Sequence, residues 1–177
     1  MKKFNIISRV LKYKGNILKF YADTILLPDG STVEWDYIEH GKAVIIIPEF
    51  SSNEILMVKQ YRSAFDSYTL ELPSGSLNCG EDAYSCAKRE LLEETGYLAN
   101  KLSWLLDVNT WAYSNEVISV YIAKDLNKFE QNLEKGEQIE VCKYKVNELV
   151  KMIFKGAIKD GKTIVAILSY YIYLNKG

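Results

Sequence analysis

The 177-residue chain has a single histidine, His40, and three cysteines, Cys79, Cys86 and Cys142. The cysteines form no CxxC pair and are odd in number, which argues against a disulfide framework and against a thiolate zinc site. Free thiols in a reducing compartment are expected. One histidine without a cysteine or serine partner motif leaves histidine-centred catalysis without its parts. No apolar run approaches the ~20 residues of a membrane-spanning helix. Met1-Lys2-Lys3 leads into mixed sequence with neither the apolar core nor the cleavage site of a signal peptide. The cytoplasm is therefore the expected location, and no membrane partner is expected. Lys and Arg number 22 against 23 Asp and Glu, for a net charge of −1. Without a dense basic block there is no electrostatic footprint for nucleic acid. Internal repeats and low-complexity segments are also absent.

What is present is the balance of a globular enzyme domain: 48% hydrophobic and 25% charged residues, in a chain long enough to bury one core. The first forty residues read as antiparallel strands broken at Lys14-Gly15-Asn16 and Pro28-Asp29-Gly30. Ala43–Ile47 and Ile55–Tyr61 follow as strands flanking the polar turn PEFSSNE, and Tyr68–Leu72 is a short strand entering Pro73-Ser74-Gly75. Leu102–Val108, Val117–Ala123 and Ile139–Val146 complete the strands. Helices are expected over Glu81–Thr95, over Asn147–Phe154 behind an asparagine cap, and over Thr163–Leu174. The expected fold class is α/β, an α/β/α sandwich on a mixed sheet. Residues 1–40 form an N-terminal antiparallel β extension and residues 41–177 the catalytic domain.

The densest information lies between Gly75 and Tyr97, GSLNCGEDAYSCAKRELLEETGY. The helix expected there carries acidic residues near its start and Gly96 as its stop. At about 100° per residue Glu90 and Glu94 share one stripe, with Glu93 at its edge and Ala83 and Ala87 continuing it one turn back. Like charges so spaced repel, costing an isolated helix a few tenths of a kcal/mol per pair. A hard divalent cation removes the conflict, since Mg²⁺ takes oxygen ligands from a few carboxylates and from substrate phosphates. Arg89 can reach a neighbouring carboxylate and hold it.

The spacing G-x5-E-x7-R-E-hydrophobic-x-E-E-x-G-hydrophobic, met by Gly75, Glu81, Arg89, Glu90, Glu93, Glu94 and Gly96, resembles the Nudix box. Tyr97 stands where an aliphatic residue is more usual. Flanking segments are similar to the ADP-ribose pyrophosphatase branch of that family: Gln60-Tyr61-Arg62, Glu71-Leu72-Pro73-Ser74-Gly75, Asp36–His40 and Lys155–Thr163. The resemblance implies a Nudix-type sandwich and a homodimer whose N-terminal strands pack across a two-fold axis. It also implies hydrolysis of ADP-ribose or a related nucleoside diphosphate sugar with Mg²⁺ or Mn²⁺. One departure concerns specificity: the branch often has a proline in the loop after the box, and Thr110–Glu116 has Trp111 instead. Substrates of the GDP-mannose or UDP-glucose type therefore stay open as an alternative, as does a sensing module without turnover.

Divalent metals at such a site polarise phosphoryl oxygens and acidify a water for in-line attack. The expected metal ligands are Glu90, Glu93 and Glu94, joined by the Ser74 carbonyl on the strength of the resemblance. Gly75, Glu81, Arg89 and Gly96 are expected to shape the motif, Glu81 through the helix dipole or a water in the metal shell. The resemblance implies a glutamate base on a loop before a late strand, and the matching stretch here is Glu134–Glu140, with Glu137 first and Glu134 second. Arg62 suits bidentate phosphate binding. Trp35 can stack on a base or serve core packing or a dimer contact, Glu71 can accept from a ribose hydroxyl or base edge or cap the loop, and Glu39 joins the substrate contacts through its segment.

Overall fold

A computed structural model describes residues 4–133 and 135–176, and the chain forms two compact units. The first unit comprises residues up to Lys42 together with Asn109–Val117. Its strands β1 (Asn5–Lys14), β2 (Lys19–Leu26) and β3 (Thr32–Glu39) make one antiparallel sheet in the order β1-β2-β3. The expected turns close it: the Gly15 amide donates to the Leu18 carbonyl, and Gly30, at φ +90, donates to Leu27. Asp23 is buried at the middle of β2, and both its carboxylate oxygens accept from Arg9, through Nε and Nη2, at 2.6 Å. The guanidinium of Arg9 also lies 3.6 Å from the centre of the Tyr37 ring. Residues 109–117 join this unit by backbone pairing, Ile38 N–H to the Tyr113 carbonyl at 2.8 Å, and the His40 N–H donates to the Asn115 side chain, also at 2.8 Å.

The second unit is built on a seven-stranded mixed sheet. Its strands are β4 (Ala43–Ser51), β5 (Glu54–Arg62), β6 (Ser67–Glu71), β7 (Ser74–Ser76), β8 (Tyr97–Asn109), β9 (Val117–Lys128) and β10 (Ile139–Lys145). They run in the order β10-β5-β4-β9-β8, with β6 paired to β5 and β7 to β4. The parallel pair β4–β9, from Ala43↔Ile118 to Pro48↔Ala123, makes the sheet mixed. Strand β4 explains the layering, because successive side chains point to opposite faces. Ile45 and Ile47 enter one core with Met57, Leu149 and Ile167, whereas Val44 and Ile46 enter another with Ala87 and Leu91. Each such side chain, fully buried, contributes about 1.5–3 kcal/mol. Helix α1 (Ala83–Thr95) covers the Val44 face, and α2 (Val146–Phe154) and α3 (Gly161–Leu174) cover the Ile45 face. The result is the expected α/β/α sandwich. Among the described residues no helix is long and apolar enough to cross a membrane.

Several helix boundaries differ from the sequence expectation. Helix α1 begins at Ala83 rather than Glu81, capped by Asp82, whose carboxylate accepts from the Ser85 amide at 3.0 Å. Its first turn holds no acidic residue, so Glu81 is outside the helix. Ala87 is fully buried against the sheet, so the stripe it shares with the carboxylates faces inward. Helix α2 starts at Val146 with Lys145 as N-cap and no side-chain cap, since lysine carries no acceptor, and the Val146 amide is met by the Asn53 carbonyl at 3.1 Å. Asn147 therefore lies inside the helix. Helix α3 starts at Gly161, where the Asp160 carboxylate accepts from the Thr163 amide at 3.0 Å.

Candidate active site

Strand β7 and helix α1 bring the box residues of the second unit together. The Glu94 side chain points inward, 5% exposed, and its Oε2 accepts from the Ser74 amide at 3.0 Å. Glu90 lies against Gly75: a Cβ built on that glycine would overlap the Glu90 carboxylate. The first glycine of the motif is thus required by close approach of a carboxylate to the backbone, and its φ is ordinary. The other glycine, Gly96, sits at φ 70 as the left-handed cap of α1, and its N–H donates to the Leu92 carbonyl at 2.8 Å.

Arg89 organises the remaining acids. Its Nη1 donates to Glu90 at 2.6 Å and to Glu93 at 3.0 Å, while Nε and Nη2 hold both oxygens of Glu81 at 2.9 Å. Nη2 also reaches the Ser76 carbonyl at 3.1 Å. Glu81, which further accepts from the Asn78 amide at 2.9 Å, acts as a bracket for Arg89. The Arg89 hydrogen bonds hold the Glu81 carboxyl down at about 2.

Charge crowding is the main electrostatic feature of the site. Burial, reinforced by Glu90 and Glu137, pushes the Glu94 carboxyl up to about 8, against the opposing bond from Ser74. Glu90 is also raised, by burial first, with Glu93 and Glu137 adding to it and Arg89 opposing. Glu137, on the segment between β9 and β10, thus lies within electrostatic reach of both carboxylates. The runner-up Glu134 lies outside the described residues.

Among the described residues no three acidic, histidine or cysteine side chains converge on a single point, since Arg89 holds Glu90 and Glu93 while the Ser74 amide holds Glu94. The donor chemistry nevertheless fits a hard divalent cation. Glu94 is bonded to the Ser74 amide, Gly75 leaves room for Glu90, Arg89 holds Glu93 beside Glu90, and the charge conflict at Glu94 is of the kind a cation relieves.

A second cluster borders this one. Arg62, at the end of β5, donates through Nε and Nη2 to both oxygens of Glu71 at 2.7 Å. Glu71 is 2% exposed and also accepts from Lys162 Nζ and Thr69 Oγ1, each at 2.6 Å. Burial works to raise the Glu71 carboxyl, but Arg62, Lys162 and Thr69 outweigh it and hold the group at about 2. Lys162 also pairs with Asp160 at 2.9 Å, tying the start of α3 to the cluster. Glu94 and Asp160 both raise the Arg62 pKa, behind the larger effect of Glu71. Lys162 and Thr69 were not among the residues singled out from sequence. Lys162 lies 91 positions from Glu71, and only its membership of the Lys155–Thr163 segment hinted at a role.

Trp35 and Glu39 belong to the first unit. Glu39 is bonded to Lys19 and to the Tyr21 hydroxyl. Trp35 packs edge-on against Phe4 and lines a cavity of about 520 Å³ with Phe20, Asp36, Ile38, Ala112 and Tyr113. Trp111 stands beside it in sequence, its ring 5.2 Å from that of Tyr113.

The NUDIX domain family matches residues 39–166 of this chain. A "Methanol dehydrogenase activator" of Bacillus methanolicus is 34% identical over 158 residues, covering 88% of this chain and 85% of the relative. An "ADP-ribose pyrophosphatase" of Bacillus subtilis (strain 168) is 30% identical over 158 residues, with the same coverage. Among solved structures, one described as "Crystal structure of ADP compounds hydrolase" superposes with a TM-score of 0.89 over 99% of this chain and 96% of that one. At 18% identity it shares the fold.

Proposed function

The chain belongs to the Nudix hydrolase family and is ADP-ribose pyrophosphatase-like, and from that premise we propose that it hydrolyses the pyrophosphate bond of ADP-ribose or a closely related nucleoside diphosphate sugar, yielding a nucleoside monophosphate and a sugar phosphate. The observation that carries this reading is the inward-facing acidic cluster, in which Glu94 is held near 8 by burial, Glu90 and Glu137. A carboxylate kept so far above its ordinary range beside two others is the mark of a site built for a cation or for proton transfer.

Glu90, Glu93, Glu94 and the Ser74 carbonyl would hold the divalent ion. When bound, Mg²⁺ or Mn²⁺ draws electron density from the phosphoryl oxygens and makes water a better nucleophile at neutral pH. The residues of the chain do the rest. Glu137 accepts the proton of the attacking water, Arg89 keeps Glu90 and Glu93 in register, and Arg62 offers phosphate its Nη1 edge, the one not engaged by Glu71 among the described residues. Glu71 belongs to substrate binding through Arg62, which it fixes by a planar two-bond pair. Trp35 suits stacking on a nucleobase, and Glu39, held by Lys19 and Tyr21, is a polar substrate contact of the same unit. Residues 1–40 serve dimerisation: Ile6, Ile7, Val10, Leu11 and Tyr13 of β1 are exposed apolar side chains suited to a second copy.

The test is a panel of ADP-ribose, ADP-glucose, GDP-mannose, UDP-glucose, NADH and diadenosine polyphosphates with Mg²⁺ or Mn²⁺, scored by product. AMP and ribose 5-phosphate from ADP-ribose are expected to dominate; no metal-dependent cleavage of any member would refute the reading. Trp111 favours one second reading, preference for a GDP-mannose or UDP-glucose type of substrate, which the same panel decides. The retained box carboxylates weigh against a sensing module without turnover.

A further inference from the structure

The last turn of α1 leaves the carbonyls of Glu93, Glu94 and Gly96 without helical partners, as every helix end does. All three are met by the segment that leaves β9. The Phe129 amide donates to Gly96 at 2.7 Å, the Asn132 amide to Glu93 at 3.1 Å, and the Gln131 side-chain Nε2 to the Glu94 carbonyl at 2.6 Å. The approach is tight enough that a Cβ on Gly96 would stand 2.8 Å from the Phe129 carbonyl oxygen and 3.1 Å from the Gln131 nitrogen. Glu137 follows Gln131 by six residues, a length that spans at most about 20 Å. The start of the chain that leads to Glu137 is thus bonded to the backbone of Glu93 and Glu94, and the carboxylates of Glu90 and Glu94 lie within electrostatic reach of Glu137.

We infer that Gln131 is a positioning residue for Glu137: its amide, clamped to the Glu94 carbonyl, fixes the start of the Glu137 segment relative to the carboxylates of α1. The inference rests on Glu137 being the base. Of the three bonds, this one alone comes from a side chain, so it is the one that a substitution can remove while the two amide bonds stay available. Gln131 is otherwise exposed and has no part in the core, which leaves packing no reason to select it.

The experiment uses Gln131→Ala and Gln131→Glu, the latter keeping the size while turning an acceptor toward the Glu94 carbonyl. With ADP-ribose and saturating Mg²⁺, loss of the bond is expected to lower kcat about two- to tenfold in Gln131→Ala, and more in Gln131→Glu, while KM moves less than about twofold. In metal-free protein the amides of Phe129 and Asn132 are expected to exchange hydrogen faster by a similar factor, a readout independent of turnover. Because the effect passes through Glu137, adding Gln131→Ala to Glu137→Gln is expected to cost nothing further. Unchanged kcat in both Gln131 variants, with faster exchange, would reduce Gln131 to a helix cap and overturn the inference; so would a multiplicative loss in the double variant. Wild-type kcat in Glu137→Gln alone would instead remove the assignment of the base, and with it the inference, so the two failures are distinct.

Discussion

Replacing Gly75 with alanine tests how closely the site is built around Glu90. Ordinary Cβ contacts begin at 3.4 Å, and a Cβ at position 75 would fall inside that limit by more than 1 Å against the Glu90 carboxylate. The obstacle is the far end of a flexible side chain, so the backbone need not move. Glu90 can swing aside at the cost of its bond to Arg89, and the stability loss should be modest, about 1 kcal/mol. Catalysis should suffer far more, because a displacement of about 1 Å in a positioned group can cost about 10²-fold in rate. Gly75→Ala is therefore expected to melt within a few degrees of wild type while kcat on ADP-ribose falls about a hundredfold, measured by AMP release beside a thermal melt. A kcat within threefold of wild type would refute the claim that Glu90 must stand against the strand. A collapse in stability would refute the claim that the strain is absorbed by a side chain.

Two further outcomes follow from the same geometry. Glu137→Gln should lower kcat on ADP-ribose by 10² or more with little change in KM, as expected for a general base; steady-state kinetics checks this, and an unchanged kcat would move the base elsewhere. Glu71, held at about 2 against 4.5 in the unfolded chain, contributes about 3 kcal/mol of stability that is present above pH 4.5 and lost as pH falls toward 2. In Lys162→Met the lost cation should let the Glu71 pKa rise, so that acid unfolding followed by urea midpoints begins at higher pH than in wild type; coincident acid limbs would contradict this.

Much of the fold was legible because it is written in local periodicity. The alternation of β4, with Ile45 and Ile47 facing one core and Val44 and Ile46 the other, appears in sequence as a short apolar run buried on both faces. The box helix was legible for the same reason, since Arg89, Glu90, Glu93 and Glu94 lie within two turns. Its start was misjudged because Glu81 and Asp82 are both acidic. Only the structure distinguishes the residue that caps the helix, Asp82, from the one that brackets Arg89. The expected Asn147 cap is not formed because the helix starts one residue earlier, at Val146, whose amide is met by the distant Asn53 carbonyl.

What sequence did not reveal was long-range. Lys162 meets Glu71 across 91 positions, Gln131 meets Glu94 across 37, and His40 meets Asn115 across 75. None of these pairs leaves a periodic or spaced signal, since each joins a side chain to whatever the fold brings beside it. Residues 109–117, expected inside the catalytic domain, group with the N-terminal sheet for this reason.

The measurement that bears most directly on the account is metal-dependent release of AMP from ADP-ribose by wild type and by Glu94→Gln, with folding followed by circular dichroism. The wild-type protein should turn over with Mg²⁺ and stop with EDTA, while Glu94→Gln, as well folded as wild type, should release no AMP above background at any Mg²⁺ concentration. Wild-type-like turnover in Glu94→Gln, or turnover that persists in EDTA, would contradict the assignment of the inward-facing carboxylates as the metal-holding centre of the reaction.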